Sequence, residues 1–400
     1  MNGPSIGRGL DVQPEHEAGG NVQDARPGAR TMTPPPLHLA IDIGPMYGHR
    51  TGVGVAVDGM VRALGLRQDV ELDPYLVSYR SRPDAGHTRL PLPGIVASHV
   101  WSRSNRIPAD RWLARADVIH GTNYVAPPTR TPTVVSVYDC WFLANPGAAT
   151  AIVRRAGATL RRRVRDGAWV HASSDATAGL VGELLGTDRV RTIFLGGPTL
   201  LDEAAERRPD VPGVIDGRPF IVCVATEDRR KGLPLLVAAF EHLAGDHLDL
   251  QLVLVGAPGD DTPAVTEAII GAGSHTRGRI HRIGAVDDAA KQWLVRHATL
   301  LAYPSIDEGF GFPVLEAHAL GTPVVATGVG SVTEIAGDAA ELVTDRDPTG
   351  FAEALHRVLT GSTSRIGLIE AGYRNVARFR WDTTAERLIE LYRHAVEVAR

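Results

Sequence analysis

The sequence predicts an α/β protein of two doubly wound domains facing each other across a cleft, and three observations carry that reading. Its 400 residues exceed the roughly 100–200 that one domain usually takes, so two domains are the natural expectation. Short apolar runs closed by Gly, Pro or Ser alternate with stretches of helical spacing along most of the chain. Strands separated by helices in this way form mainly parallel sheets covered on both faces. The alternation pauses once, at 198–218, in a polar segment, PTLLDEAAERRPDVPGVIDGR, that holds three prolines and reads as a linker.

Residues 1–36 are rich in Gly, Pro, Arg and Glu and poor in large apolar side chains, and are expected to form a disordered tail. The first domain, 37–197, opens with LHLAIDIG, a buried strand by its apolar run. A loop, HRTGVG, leads into VAVDGMVRALGL, which has helical spacing. DPYLVSY, ADVIHG, PTVVSVYD, AWVHASS and RVRTIFLG supply the remaining strands. Alternation resumes in the second domain, 219–382, with PFIVCVAT, LQLVLVGAP, RIHRIGAV, ATLLAYPS, TPVVATG and AAELVT as strands. Helical stretches such as LPLLVAAFEHLAG and FPVLEAHALG lie between them. Ligands of open α/β sheets bind at the carboxyl ends of the strands, which makes the cleft between domains the expected site.

Composition narrows the function. The hydrophobic fraction of 44% and charged fraction of 22% are those of an ordinary globular protein. A formal net charge of -4 argues against a nucleic-acid binder. No apolar stretch reaches the roughly 18 residues that span a bilayer, and the N-terminus lacks the apolar core of a secretory signal. Both cysteines, Cys140 and Cys223, lie in apolar runs and read as buried free thiols. Cytoplasmic residence, with peripheral contact at the inner membrane face, is the expectation.

Two segments bear chemistry. In YPSIDEGFGFPVLEAHALGTPVVATGVGSVTEIAG (303–337), Glu308 and Glu316 stand eight positions apart around a glycine-broken turn. Pro313 suits the first turn of a helix because it has no N–H to satisfy. Gly309 and Gly311 let the backbone approach a ligand, and the free N–H groups at the helix start point at an anion. Glu316, one turn inside, can accept from a pair of vicinal hydroxyls. A nucleotide sugar offers both a diphosphate and a ribose diol. In VATEDRRKGLPLLVAAF (224–240), Arg229, Arg230 and Lys231 sit at a strand end beside a helix start. The helix dipole disfavours cations there unless an anion is shared between them, which points to phosphate.

These segments resemble the retaining nucleotide-sugar glycosyltransferases of the GT-B superfamily, family four, which includes many mannosyl- and glucosyltransferases. EGFGFPVLEAHALGTPVV resembles the family's E-x7-E signature and DRRKG its diphosphate motif, within a likeness running from about residue 38 to 395. The resemblance implies two Rossmann-like domains, with a C-terminal helix, 383–400, packing back towards the first. It implies that Glu316 binds the donor ribose, that Glu308 sits by the transferred sugar, and that Arg230 and Lys231 neutralise the leaving diphosphate. Amides around Phe310, Gly311 and Phe312 would touch the sugar hydroxyls, with Gly309, Pro313, Leu315 and Thr226 completing the donor side. Thr51, Gly52 and Gly54 would form the glycine loop near phosphate and acceptor. Asp139 matches the second position of a His-Asp pair of catalytic importance. The histidine is replaced here by Tyr138, which can hydrogen-bond to donor sugar but supplies no cation near neutral pH. No metal and no cofactor are implied, with GDP-mannose or a UDP-hexose as substrate and a glycan, a lipid-linked glycan or a small molecule as acceptor.

Three further features are weighed. His120 and Asn123, in HGTN, lie at a strand end facing the expected cleft, on the acceptor side. Asp260 and Asp261 read as a solvated turn rather than a metal site. Arg154, Arg155, Arg161, Arg162, Arg163 and Arg165 recur at helical spacing, either as a basic face for anionic lipid or as a solvated helix paired with local carboxylates. A catalytically silent sugar-nucleotide-binding subunit, an epimerase and a phosphorylase on the same architecture are the rival functions.

Overall fold

The computed structural model describes residues 35–47, 51–79, 86–147, 149–211 and 217–400. The expected tail lies outside them, apart from Pro35 and Pro36. Seven strands form the first sheet: β1 (Leu37–Asp42), β2 (Val70–Val77), β3 (Thr88–Leu90), β4 (Val118–Gly121), β5 (Thr133–Val137), β6 (Trp169–Ala172) and β7 (Val190–Thr192). Their order is β3-β2-β1-β4-β5-β6-β7. A second sheet holds β8 (Phe220–Val224), β9 (Gln251–Val255), β10 (Ile280–Gly284), β11 (Leu300–Tyr303), β12 (Val324–Thr327) and β13 (Glu341–Val343). It runs β10-β9-β8-β11-β12-β13. Neighbouring strands pair in parallel throughout both sheets. Only the three-residue edge strand β3 escapes the sequence pattern, because TRL carries no apolar run.

Each sheet reverses its winding once, between β1 and β4 and between β8 and β11. Such switch points open a crevice at the strands' carboxyl ends, and both crevices carry residues singled out above. The covering helices of the first domain are α1 (Gly52–Gly65), α2 (Gly94–Trp101), α3 (Trp141–Ala144), α4 (Ala151–Arg165) and α5 (Asp175–Leu185). Those that follow are α6 (Leu233–Leu243), α7 (Thr262–Gly271), α8 (Ser274–Arg277), α9 (Asp288–His297), α10 (Phe312–Leu320), α11 (Val332–Ala336), α12 (Pro348–Thr360), α13 (Arg365–Val376) and α14 (Trp381–Ala399).

Helix α14 packs on the first domain. Its Leu388, Ile389, Leu391, Tyr392 and Ala395 are buried in one core with Leu39, Val57, Met60, Val118 and Val134. Trp381 fills a notch made by Gly59 and Gly196, where any Cβ would lie 2.3 and 2.2 Å from its ring. The indole N–H donates to the Gly197 carbonyl at 2.9 Å. The segment between the domains lies along α9: Gln292 accepts from the Leu201 N–H and donates to Glu206, which also holds Arg296.

The arginine-rich helix is held by local partners. On α4, Arg155 donates to Ser98, Arg161 to the Leu184 carbonyl, Arg162 to the Arg103 carbonyl, and Arg154 to the Ala149 carbonyl. Arg163 is buried and holds Asn105 and Asp166. These guanidiniums tie α4 to neighbouring segments and to its own N-terminal turn; half of their six partners are backbone carbonyls and one, Asp166, is a carboxylate. Among the described residues no helix is long and apolar enough to cross a membrane. Both cysteines are buried free thiols, pushed up to about 12 by burial.

Candidate active site

At the end of β8 the chain turns through Asp228 into Arg229, Arg230 and Lys231, and Gly232 adopts a left-handed φ of 63° before α6 begins. A side chain at Gly232 would meet the Pro304 carbonyl at 2.3 Å, so the basic turn lies directly against the loop after β11. From that loop Glu308 reaches back. It accepts from Lys231, from Arg230 at 3.3 Å and from the Tyr303 hydroxyl at 2.5 Å. Burial alone would raise its pKa, but the Lys231 and Arg230 charges overcome that and hold it at about 2. Glu308 is therefore a half-buried carboxylate shared by two cations. Tyr303 stays protonated, because burial and then the Glu308 charge push it far up.

Gly311, at a φ of 98°, caps α10, whose first turn holds Phe312 and Pro313. Facing it, Thr51 caps α1 by accepting from the Gly54 N–H at 3.3 Å. Two helix starts and the Arg230–Lys231 turn thus surround one cavity of about 350 Å³, lined also by Gly52, Tyr138, Asp139, Thr226, Gly309 and Phe310. Amide N–H groups, helix dipoles and paired cations make this a site for an anion. A neighbouring cavity of about 430 Å³ shares Thr51, Gly52, Thr226, Phe312 and Pro313 and reaches Glu316, Gly256 and Val286. There Lys291 of α9 donates to Glu316 at 2.7 Å.

The two domains meet at this site. Gly309 lies so close to the loop after β5 that a Cβ would sit 1.5 Å from the Tyr138 carbonyl oxygen. Ser173 donates to the Gly309 carbonyl at 2.9 Å. Asp139 accepts from the Tyr124 hydroxyl at 3.1 Å, and its charge, after that of Glu308, raises Arg230 against the effect of burial.

Tyr138 lines the cavity, but it is buried and its hydroxyl proton is donated inward to the Thr122 carbonyl at 2.8 Å. Several other predicted residues lie elsewhere. His120 does not face the cleft: it is fully buried, bonded to Ser136 at 2.8 Å and Tyr392 at 2.7 Å. Asn123 is exposed on the loop after β4. Leu315 is fully buried in the core with Phe310 and Phe379, and Gly54 backs onto the Pro45 carbonyl. Asp260 caps the basic turn by accepting from the Arg229 N–H at 2.9 Å.

Other polar groups at the site went unread. Lys291 sits in the first turn of α9, whereas Tyr303, Tyr124 and Asp307 lie at or just beyond strand ends. That position was the available signal. Asp42, at the end of β1, is raised to about 6 by burial, against the Gly44 N–H that it accepts. Asp307 is raised by burial and then by the Asp139 charge.

Comparison with known proteins places the part of the chain that holds most of this machinery. Residues 218–361 match the family model for glycosyl transferases group 1. They form a group 1 glycosyltransferase domain. Over 98 residues the chain is 42% identical to a D-inositol 3-phosphate glycosyltransferase of Corynebacterium urealyticum, covering 24% of this chain and 23% of that protein. Over 180 residues it is 29% identical to a phosphatidyl-myo-inositol mannosyltransferase of Mycolicibacterium smegmatis, covering 44% and 45%. The chain thus spans less than half the length of these curated relatives. Sucrose-phosphate synthase from Thermosynechococcus elongatus superposes with a TM-score of 0.67 at 18% identity, over 90% of this chain and all of that one. That likeness is one of fold, the two-domain GT-B architecture. Arg230, Lys231, Lys291, Glu308 and Glu316 all fall inside the group 1 domain. Thr51, Gly52 and Asp139 come from the first domain, which the family match does not reach.

Proposed function

We propose that the protein transfers a hexose from a nucleotide-diphosphate sugar to a carbohydrate, lipid-linked or small-molecule acceptor, with retention at the anomeric carbon and without a metal. The observation that carries this reading is the pairing of the Arg230–Lys231 turn with the starts of α1 and α10 around one cavity. As the bond to diphosphate breaks, negative charge grows on the leaving group. Cations and N–H groups fixed in advance then stabilise the transition state more than the ground state. Glu308 holds the two cations in place before the donor arrives. The second cavity, with Glu316 and Lys291, suits the nucleoside, a carboxylate for the ribose diol and an ammonium beside it. Retention is inferred from the resemblance of the Glu308–Glu316 segment to retaining enzymes. Mannose is favoured among hexoses by the likeness to a mannosyltransferase.

Calorimetric titration of GDP and UDP tests the donor site, and Glu316→Ala is expected to weaken whichever nucleotide binds. Sugar transfer from the matching donor should persist in excess chelator. Wild-type affinity in the variant, or a strict need for added divalent metal, would overturn these assignments.

A further inference from the structure

On the wall of the cleft beyond Glu308, a carboxylate of one domain caps a helix of the other. Glu334, half-buried on α11, accepts from the Asp175 N–H at 2.7 Å and from the Ala176 N–H at 2.6 Å. Those two groups are orphan donors at the start of α5, where the helix dipole also favours a negative charge. The sequence distance bridged is 159 residues.

Both ends of this contact lead to reacting loops. On the second-domain side, Ser331 immediately precedes α11 and donates from its hydroxyl to the Glu308 carbonyl at 2.8 Å. Gly330, with a φ of 52°, lies so close to Glu308 that a Cβ would sit 2.9 Å from the same oxygen. On the first-domain side, Ser173 and Thr177 flank the capped turn and donate to the Tyr138 carbonyl at 3.3 and 3.2 Å. Asp139 follows directly. Rigid, short links therefore run from Glu334 to the Glu308 loop in one direction and to the Asp139 loop in the other.

We infer that Glu334 is a positioning residue, a strut that sets the spacing of the Glu308 and Asp139 loops across the cleft. It touches neither cavity, and its effect passes through the fixed relation of the two domains. A displacement on the order of 1 Å between such groups can cost about a hundredfold in rate. The cavity beside Glu316, which suits the nucleoside, draws its charged residues from the second domain, so binding of the free nucleoside should be insensitive to the strut.

The kinetic arm rests on the sugar-transfer reading, whereas a scattering arm does not. Glu334→Gln removes the charge and turns an amide donor towards the helix N–H groups. Asp175→Pro deletes one partner N–H from the other side. Proline is suited to this first helical position, and Ser174 before it is already extended. In both variants the radius of gyration from small-angle X-ray scattering should rise. The kcat should fall about ten- to a hundredfold, while the Kd for the free nucleoside stays within about twofold. An unchanged scattering profile in both variants overturns the strut, whatever the activity. A changed profile with unchanged kcat overturns its positioning role. Parallel loss of nucleoside affinity overturns it too, since the damage would then lie within the second domain. If the wild-type protein transfers no sugar, the functional reading fails, and scattering still decides the strut.

Discussion

At the scale of single residues, the site is an exercise in sharing charge. Glu308 is half-buried between Lys231 and Arg230, and its carboxylate would be costly there without them. Lys231→Ala therefore has two consequences. It removes a cation aimed at the leaving group, which typically costs about 3–4 kcal/mol of transition-state stabilisation, or a hundred- to a thousandfold in kcat. It also leaves Glu308 with Arg230 alone, so its pKa should rise from about 2 towards the ordinary carboxylate range. Kinetics alongside calorimetric nucleotide titration check this, with turnover expected to fall more than binding. Equal losses in kcat and affinity would move Lys231 from the leaving group to ground-state binding.

Among elements, α4 shows that a charge pattern does not name its own partners. Six arginines at helical spacing suggest a surface, yet Arg163 is buried and five of the six hold groups on neighbouring segments or on their own turn. Arg163→Ala would remove the buried guanidinium that joins α4 to Asn105 and empty packed space. It should cost about 2–3 kcal/mol of stability, in the range of charged hydrogen bonds lost from a buried site. Arg165, exposed at the helix end, should tolerate the same change within about 0.5 kcal/mol. Denaturant titration of the two variants compares them, and equal midpoints would show that α4 is not tied down as described.

Over the whole molecule, buried histidines set an acid limit. Tyr392, His120, Ser136, His171 and the Ile193 carbonyl form one hydrogen-bonded chain from α14 across β4, β5 and β6 to the residue after β7. Each ring nitrogen is satisfied when both histidines are neutral. Burial lowers His120 well below its ordinary value and His171 to about 4. His318, bonded to the Ala339 carbonyl and Asn375, is likewise lowered to about 4 by burial. For groups lowered on folding, the unfolded chain takes up protons first. Stability is thus fully present above about pH 6.5 and is lost as pH falls towards about 4, at roughly 1.4 kcal/mol per pH unit for each histidine. Asp42 works in the opposite sense, because its raised value of about 6 means stability is lost as pH rises through that point. With His247 and His281 also lowered, the histidines outnumber the raised carboxyls Asp42, Asp261 and Asp307, so unfolding free energy measured from about pH 7 to pH 5 should drop. His318→Asn should flatten the slope, and a pH-independent wild type would contradict the neutral-histidine assignment.

The sequence by itself determined the two doubly wound domains and the glycine–glutamate and basic-turn segments at the second sheet's switch point. Strand and helix periodicity, proline at a helix start and glycine at a left-handed turn are local constraints, legible within a few residues. Only the tertiary structure decided which way side chains at those strand ends point and what they meet. Tyr138 turns inward to Thr122, His120 is spent on Ser136 and Tyr392, Lys291 pairs with Glu316, and Glu334 crosses to α5. Such partners are brought together by the winding of the sheets and the packing of one domain on the other. A pattern of residues along the chain carries no record of that geometry.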